Sequence, residues 1–488
     1  MSTPDIKKNR LRKLRRLRNL RVNPYPAKSK RTHLIKEACS GFEKLAGEKK
    51  QIILAGRIFS IREHGGSTFI HFGDETGKIQ AYFKRDALGP KAYKFFLDNF
   101  DIGDFIEVKG YLFKTKRGER TLEVKDFRML TKSLLPLPEK WHGLRDIEER
   151  YRKRYLDLIF NPEVKDRFEK RSEIIREIRR FLEKNGFLEV ETPILQPIYG
   201  GAKAKPFKTH LNALNIDLYL RISLELYLKR LIVGGFGKIY EIGKCFRNEG
   251  IDRFHNPDFT MLEFYWAYAD YKDLMKFTEK MIQEIVKKIK GSLKIEYQEK
   301  LIDFSSPWPR IEFSQLMRKE AKINIDEIHL VALKKKAKEM GIKIDKGEGK
   351  AEIADKIYKK KCRDKIINPT FIIHYPKESF PLAKSLENHP DKLANFQLVA
   401  GGCELVNAFS ELNDPVEQKR RFEEQEKMYK KGFDEAQRMD KDFIEALEYG
   451  MPPCAGFGMG IDRFVALLTD ARSLREVILF PTMRPKEK

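Results

Sequence analysis

Between residues 52 and 130 the chain runs in short apolar or alternating stretches, QIILAGRIFSI, STFIHFGDETG, KIQAYFKRD, DFIEVKGYLFKTK and RTLEVKDFRML, with glycines at the breaks. Such patterning predicts five strands, interrupted by one helical stretch around 90–99. Ahead of them Leu11, Leu14, Leu17 and Leu20 recur at three-residue spacing in a basic segment, as one face of an amphipathic helix that would turn its arginines outward. Behind them SLLPLPEKWHGLRD (133–146) carries two prolines and a glycine and reads as a linker. Asn161-Pro162 then opens a helix over 163–185, with Asn161 as N-cap and the proline in the first turn. Phe168, Ile174, Ile175, Ile178, Phe181 and Leu182 form its apolar stripe, and Gly186 closes it. From 187 onward strands and helices mix without regular βαβ alternation, which argues against a doubly wound sheet. Residues 318–390 are Lys-rich and helical in pattern, an insertion between two strand-rich parts. The expected division is a basic helical extension (1–50), a barrel (51–132), a linker (133–150) and a large α+β domain (151–488).

Charge sharpens this picture. The 488 residues include 97 Lys+Arg against 72 Asp+Glu, a formal charge of +25. Residues 1–36 alone hold thirteen Lys/Arg and a single acid, Asp5, a net +12. Such a concentration suggests polyanion binding by counterion release, with nucleic acid as the partner. Five strands and one helix match an oligonucleotide-binding barrel, in which exposed aromatics on the middle strands stack on bases; Phe69 and Phe72 are the candidates. No run approaches the roughly 18 apolar residues that span a bilayer, so no membrane association is expected. The N-terminus is basic but lacks an apolar signal core. The five cysteines are scattered, odd in number and without a C-x-x-C pair, which argues against disulfides or a zinc site and for a reducing, cytoplasmic setting.

Four segments concentrate the chemistry. They are NGFLEVETPIL (185–195), KIYEIGKCFRNEGIDRFHNPDFTMLEFYWAY (238–268), GGCELVNAFSELNDP (401–415) and GFGMGIDRF (456–464). In this order and spacing they resemble the three signature motifs of class II aminoacyl-tRNA synthetases, and with the barrel in front the whole chain resembles the class II lysyl-tRNA synthetases. The resemblance implies an OB-fold anticodon-binding barrel and a catalytic domain built on an antiparallel sheet flanked by helices. It implies a ligase that joins L-lysine to tRNA(Lys) with ATP, with Mg²⁺, as a cytoplasmic homodimer built on the first motif. The alternative left open is a paralogue that binds or lysylates something other than tRNA.

Carried over residue by residue, the resemblance implies that Arg247 bridges the α-phosphate and the amino-acid carboxylate. Arg463 then holds the γ-phosphate end and covers one adenine face, Phe259 stacks on the other, and Glu249 accepts from the adenine amino group. His255 reaches the terminal phosphates, and Asn256 fixes the base. Arginine suits such work because its planar fork binds phosphate and carboxylate in a bidentate way.

Strand parity adds an independent argument. Phe259, Met261, Glu263 and Tyr265 share one face, as do Asn407, Phe409 and Glu411, whereas Glu404 needs a bulge to join the latter. A cleft holding Glu225, Glu263 and Glu411 without a built-in cation wants a cationic ligand. The resemblance implies that Glu263, Tyr265 and Glu411 grip the lysine ε-ammonium, with Glu225 near the α-amino group and Gly201, Asn407 and Phe409 lining the pocket. It also implies that Glu404 and the residue seven positions earlier hold the metal. That residue is Gln397, a neutral side chain where the family usually has an acid, so one ion held firmly by Glu404 and the ATP phosphates is expected, with any further ion bound chiefly through phosphate and water. On the barrel, Phe69, Gln80 and Glu119, with Arg57 nearby, match positions that read the anticodon. VGGFGK (233–238) has the wrong glycine spacing for a phosphate loop, and His64, His71 and His142 lack partners at ligand spacing.

Overall fold

The computed structural model describes residues 2–138, 144, 146–433 and 435–486. The chain divides into two units, Met1–Arg145 and Asp146–Lys488. His142 and the middle of the expected linker lie outside the described residues.

In the first unit α1 (Thr3–Asn19), α2 (Ile35–Ser40) and α3 (Phe42–Gly47) precede β1 (Ile52–His64), β2 (Ser67–Gly73) and β3 (Lys78–Lys84). After α4 (Arg85–Leu88) and α5 (Pro90–Asn99), β4 (Phe105–Lys114) and β5 (Arg120–Thr131) close a barrel in the order β1-β2-β3-β5-β4. Inward positions such as Leu54, Ile70, Phe72, Val108 and Leu122 are fully buried, as the period of two requires. On α1, Leu14 and Leu17 are buried and Leu11 half-buried, whereas Leu20, just past its end, is 53% exposed. The outward placement expected of the arginines fails at Arg10, which is buried and donates to the carbonyls of Ile102 (2.7 Å), Leu135 (3.0 Å) and Ser133 (3.2 Å). The basic helix is therefore anchored by one of its own cations as well as by its leucines.

The second unit begins with α6 (Ile147–Arg152), α7 (Arg154–Phe160) and α8 (Pro162–Lys184), followed by β6 (Leu188–Glu189), β7 (Leu195–Gln196), β8 (Lys208–Leu211) and β9 (Ile216–Leu220). Next come α9 (Glu225–Val233), β10 (Lys238–Phe246), β11 (Asp258–Ala267) and α10 (Tyr271–Lys290), then β12 (Lys294–Tyr297), β13 (Lys300–Asp303) and β14 (Arg310–Glu312). The last stretch holds α11 (Phe313–Leu316), α12 (Leu330–Glu339), α13 (Lys350–Lys361), β15 (Thr370–Ile373), β16 (Asn395–Ala400), β17 (Cys403–Ser410), α14 (Pro415–Lys430), α15 (Lys441–Glu448), β18 (Cys454–Gly460) and α16 (Ile461–Leu468).

Eight strands form one sheet in the order β14-β15-β16-β17-β18-β11-β10-β6. Its interior is antiparallel, and only the end pairs β14–β15 and β10–β6 run parallel. Leu262, Phe264, Val406, Ala408, Phe457 and Met459 turn to one face and share a core with Ile174 and Ile178 of α8, Met281 of α10 and Phe464 of α16. Alternation leaves their neighbours on the other face, where the cleft lies.

Two boundaries and one helix cap differ from expectation. Residues 370–373 belong to the main sheet, so the helical insertion stops short of 390. Helix α6 begins at Ile147, inside the stretch assigned to the linker. Asn161 makes no side-chain cap bond; its Nδ2 instead donates to Asp157 Oδ1 at 2.6 Å, because that buried carboxylate competes for it.

Candidate active site

The face opposite the core lines a cleft of about 500 Å³. Its floor comes from Phe259, Met261, Glu263 and Tyr265 on β11, Asn407 and Phe409 on β17, and Gly456, Gly458 and Gly460 on β18. The glycines alternate with Phe457 and Met459, so the central strand keeps bulk on the core side and none on the cleft side. At Gly456 an added Cβ would stand 1.9 Å from Glu411 Oε1 and 2.6 Å from Tyr265 Cε1.

One end is basic. Arg247 follows β10, donates from Nε to the Ile222 carbonyl at 3.3 Å, and carries its guanidinium 5.1 Å from the Phe259 ring centroid. In the loop beyond, His255 Nδ1 pairs with Asp252 Oδ2 at 2.8 Å, and its Nε2 lies 3.4 Å from Arg463 Nη2. Arg463, in the first turn of α16, donates from Nη1 to the Glu404 carbonyl at 3.2 Å. Asn256 is buried and braces the loop by donating to the Asp258 carbonyl at 2.6 Å, while its Oδ1 finds no donor. Glu249 sits exposed at the rim. The bulge expected to bring Glu404 onto this face is present: Leu398 faces Val406 and Val399 faces Glu404, so Leu405 is the extra residue and Glu404 lines the cleft.

The other end is acidic. Glu263 accepts from the Ser223 hydroxyl at 2.8 Å, the Leu224 amide at 3.1 Å and the Tyr265 hydroxyl at 3.4 Å. Burial, aided by Glu225, still pushes its carboxyl up to about 7. Gly201 holds φ +85°, and a Cβ there would fall 2.8 Å from Ser223 Oγ, so its bareness keeps that wall open. Asn407 stands opposite Gln397 and Gly458, with a buried Oδ1 that has no donor.

The premise that these acids lack a built-in cation does not hold. Lys229, fully buried on α9, donates to Glu225 Oε1 at 2.6 Å and is ion-paired with Glu411. Glu411 is 1% exposed and stands behind Gly456 instead of lining the cleft. The acid end therefore keeps two uncompensated carboxylates where three were expected. Gln397, 4% exposed, accepts from the Tyr375 hydroxyl at 2.7 Å through its amide oxygen. Among the described residues no three His, Cys, Asp or Glu side chains gather as a metal cage.

On the barrel, Phe69 and Phe72 separate. Phe72 is core, whereas the half-buried Phe69 ring stacks on Tyr82 at 4.6 Å and 27°. Gln80 and Glu119 join at 2.8 Å, and His71 reaches the same Glu119 at 2.8 Å. His71 thus has a carboxylate partner that sequence spacing did not reveal. Arg57 is not brought to this group; it donates to the Gly103 carbonyl and lies 4.3 Å over Phe105. Arg62 is the β1 residue opposite Phe69.

Residues 146–484 match the family described as tRNA synthetases class II (D, K and N), and residues 52–130 match the OB-fold nucleic acid binding domain. A lysine–tRNA ligase of Carboxydothermus hydrogenoformans is 51% identical over 487 residues, covering 99% of both chains. Those of Roseiflexus castenholzii and Thermotoga maritima are each 48% identical, over 100% of both chains and over 99% and 97% respectively. The chain belongs to the class II tRNA synthetases, in their lysine–tRNA ligase family.

Sequence reasoning missed four contributors to this synthetase's cleft and barrel face: Lys229, Ser223, Tyr375 and Tyr82. Lys229 had a signal, since Glu225 and Lys229 stand four apart on a helix and so share a face. Ser223 and Tyr375 had none, because each reaches its partner from a distant part of the chain.

Proposed function

We propose that the cleft activates L-lysine with ATP, giving lysyl-adenylate and pyrophosphate, and then passes the lysyl group to the 3′-terminal ribose of tRNA(Lys). The observation that carries this reading is the division of one cleft into a phosphate-suited arginine end and an ammonium-suited acid end, with Arg247 beside both Phe259 and Glu263.

A lysine carboxylate is already ionised at pH 7, so activation needs alignment and charge neutralisation rather than a base. The carboxylate oxygen bonds to the α-phosphorus as the bond to the bridging oxygen breaks, and pyrophosphate departs with the electron pair. Arg247 is suited to hold the α-phosphate and the carboxylate together, and Arg463 with His255 to hold the departing end. Phe259 and Arg463 offer faces for adenine, and Glu249 an acceptor at the rim. Asn256 has its Oδ1 free for the base or ribose. Glu263 and Tyr265, with Glu411 behind them, would take the ε-ammonium, and Glu225 the α-ammonium.

ATP dependence implies a divalent ion. Glu404 and the remaining lone pair of Gln397 Oε1 fit a Mg²⁺ held chiefly by phosphate oxygens and water, where it would offset phosphate charge. In the barrel, Phe69 on Tyr82 offers a stacking platform and the Gln80–Glu119 pair a hydrogen-bonding edge for anticodon bases. Exposed Leu188, on β6 beside α8, and exposed Ile194 and Leu195 give a homodimer apolar surface to bury, a state that light scattering tests directly. No helix among the described residues is long and apolar enough to cross a membrane, and the unpaired cysteines suit a cytoplasmic setting.

Lysylation of tRNA(Lys) transcripts with intact and altered anticodons tests the reading. Lysyl transfer that falls with the altered anticodon is expected, and transfer indifferent to tRNA identity would overturn it.

A further inference from the structure

Lys229 is buried completely, yet no step above uses it. Its Nζ donates to Glu225 Oε1 at 2.6 Å and pairs with Glu411 Oε2, while the rings of Phe409 and Phe443 lie 5.7 and 5.8 Å away. The remaining oxygen of Glu411, Oε1, is buried against Gly456 and meets no donor. A buried ammonium is costly unless its partners are ionised, so this lysine and its two glutamates form one electrostatic unit. When all three carboxylates (Glu225, Glu263 and Glu411) are ionised, as a bound cation favours, one ammonium leaves two negative charges uncompensated. L-lysine brings two ammonium groups, and its carboxylate belongs with Arg247.

We infer that Lys229 is a positioning residue for amino-acid selection, holding Glu225 and Glu411 on one ammonium and trimming the pocket to the two negative charges that a diammonium substrate neutralises. The inference rests on the reading of the cleft as a lysine-activating site and deepens it. An amino acid of similar length without a side-chain ammonium would leave a buried carboxylate unpaired, which is a penalty rather than a missing contact.

The charged and titratable groups coupled to Lys229 are Glu225 on its own helix, Glu411 beyond β17 and Cys454 at the head of β18; Glu263 and Tyr265 from β11 act on Glu225 and Glu411, Lys384 acts on Cys454, and α15 brings the Phe443 ring. Burial drives both Glu225 and Glu411 upward, and Lys229 is the cation that opposes this. Removing it takes away that opposition, so one of them should hold a proton more readily. The variant's lysine affinity should then recover as pH rises.

The test is lysine-dependent ATP–pyrophosphate exchange by the full-length protein from about pH 6.5 to about 9, reading KM for lysine and for ATP separately. Lys229→Met should raise the lysine KM roughly 10- to 100-fold at neutral pH, the worth of one charge-assisted hydrogen bond. The ATP KM should stay within about twofold, and the lysine deficit should shrink with rising pH. Lys229→Arg, which keeps the charge, should retain the wild-type pH slope. A pH-independent rise, an equal rise in both KM values, or no rise overturns the assignment. If Lys229→Met does not fold, Lys229→Arg decides: a change in lysine KM alone supports the inference, and matched changes in both overturn it. A wild type without lysine-dependent exchange overturns the parent reading with it, whereas an active wild type matched by its Met variant overturns this inference alone.

Discussion

The Ser223 hydroxyl donates to Glu263 Oε1 at 2.8 Å, and the same oxygen takes the Leu224 amide at 3.1 Å. Two donors on one carboxylate oxygen are what a binding group needs to stay oriented in an empty pocket. They do not hold it fully ionised at neutral pH before a cation binds, because burial, with Glu225 nearby, lifts Glu263 to about 7. An ammonium prefers the charged form, so kcat/KM for lysine should climb through neutral pH in the free enzyme and level off above it. Stability should move oppositely. A carboxyl raised from 4.5 to about 7 holds its proton more tightly folded than unfolded, so its contribution is complete below the unfolded value and lost as pH rises through 7. That loss is on the order of 3 kcal/mol. Glu263→Gln should therefore raise Tm of the ligand-free protein at pH 8 while weakening lysine binding severely. A Tm below wild type at that pH would contradict the assignment.

The alternation of β11 and β18 was legible because a strand's period is rigid: once Leu262 and Phe264 are core, Phe259, Glu263 and Tyr265 must face the cleft. The bulge at Leu405 was legible for the same reason, since only an extra residue brings Glu404 onto that face. What remained hidden depends on distances that periodicity does not carry. Arg57 and Arg62 are equally plausible on β1, and only the register, which sets Arg62 against Phe69, separates them. Phe69 and Phe72 lie on opposite faces of one strand, but which face is core follows from barrel closure. The pairing of Lys229 with Glu411 joins a helix to the end of a strand far along the chain, so the acid end looked more negative than it is.

Gly456 sits where a side chain would collide with Glu411 and Tyr265. Gly456→Ala should raise the lysine KM at least tenfold, because the carboxylate and the phenol must both retreat from the pocket. The ATP KM should be nearly unchanged, since Arg463 and Phe259 lie at the other end. Parallel loss of both substrates would place Gly456 in the fold rather than in the pocket.

In the barrel, Phe69→Ala should cost about 1–3 kcal/mol of stacking and slow tRNA charging without touching pyrophosphate exchange. Phe72→Ala should act differently, since that ring is fully buried and its loss costs about 3–5 kcal/mol of barrel stability. Thermal melts beside the two activity assays distinguish the variants. Indistinguishable behaviour of the pair would remove Phe69 from the tRNA face.

Gln397→Glu would add a charge beside Glu404 while keeping an acceptor for the Tyr375 hydroxyl. Exchange should then saturate at lower free Mg²⁺, because hard cations favour carboxylate over amide oxygen. An unmoved magnesium dependence would put Gln397 away from the ion.

One cleft pairs ATP with lysine. ATP–pyrophosphate exchange by the purified full-length protein, run separately with each of the twenty amino acids, addresses it most directly. Exchange should appear with lysine alone, because the acid end keeps two uncompensated carboxylates that a neutral or acidic side chain cannot satisfy. Exchange driven by aspartate or asparagine, or none with lysine, would show that the acid end does not select a diammonium substrate.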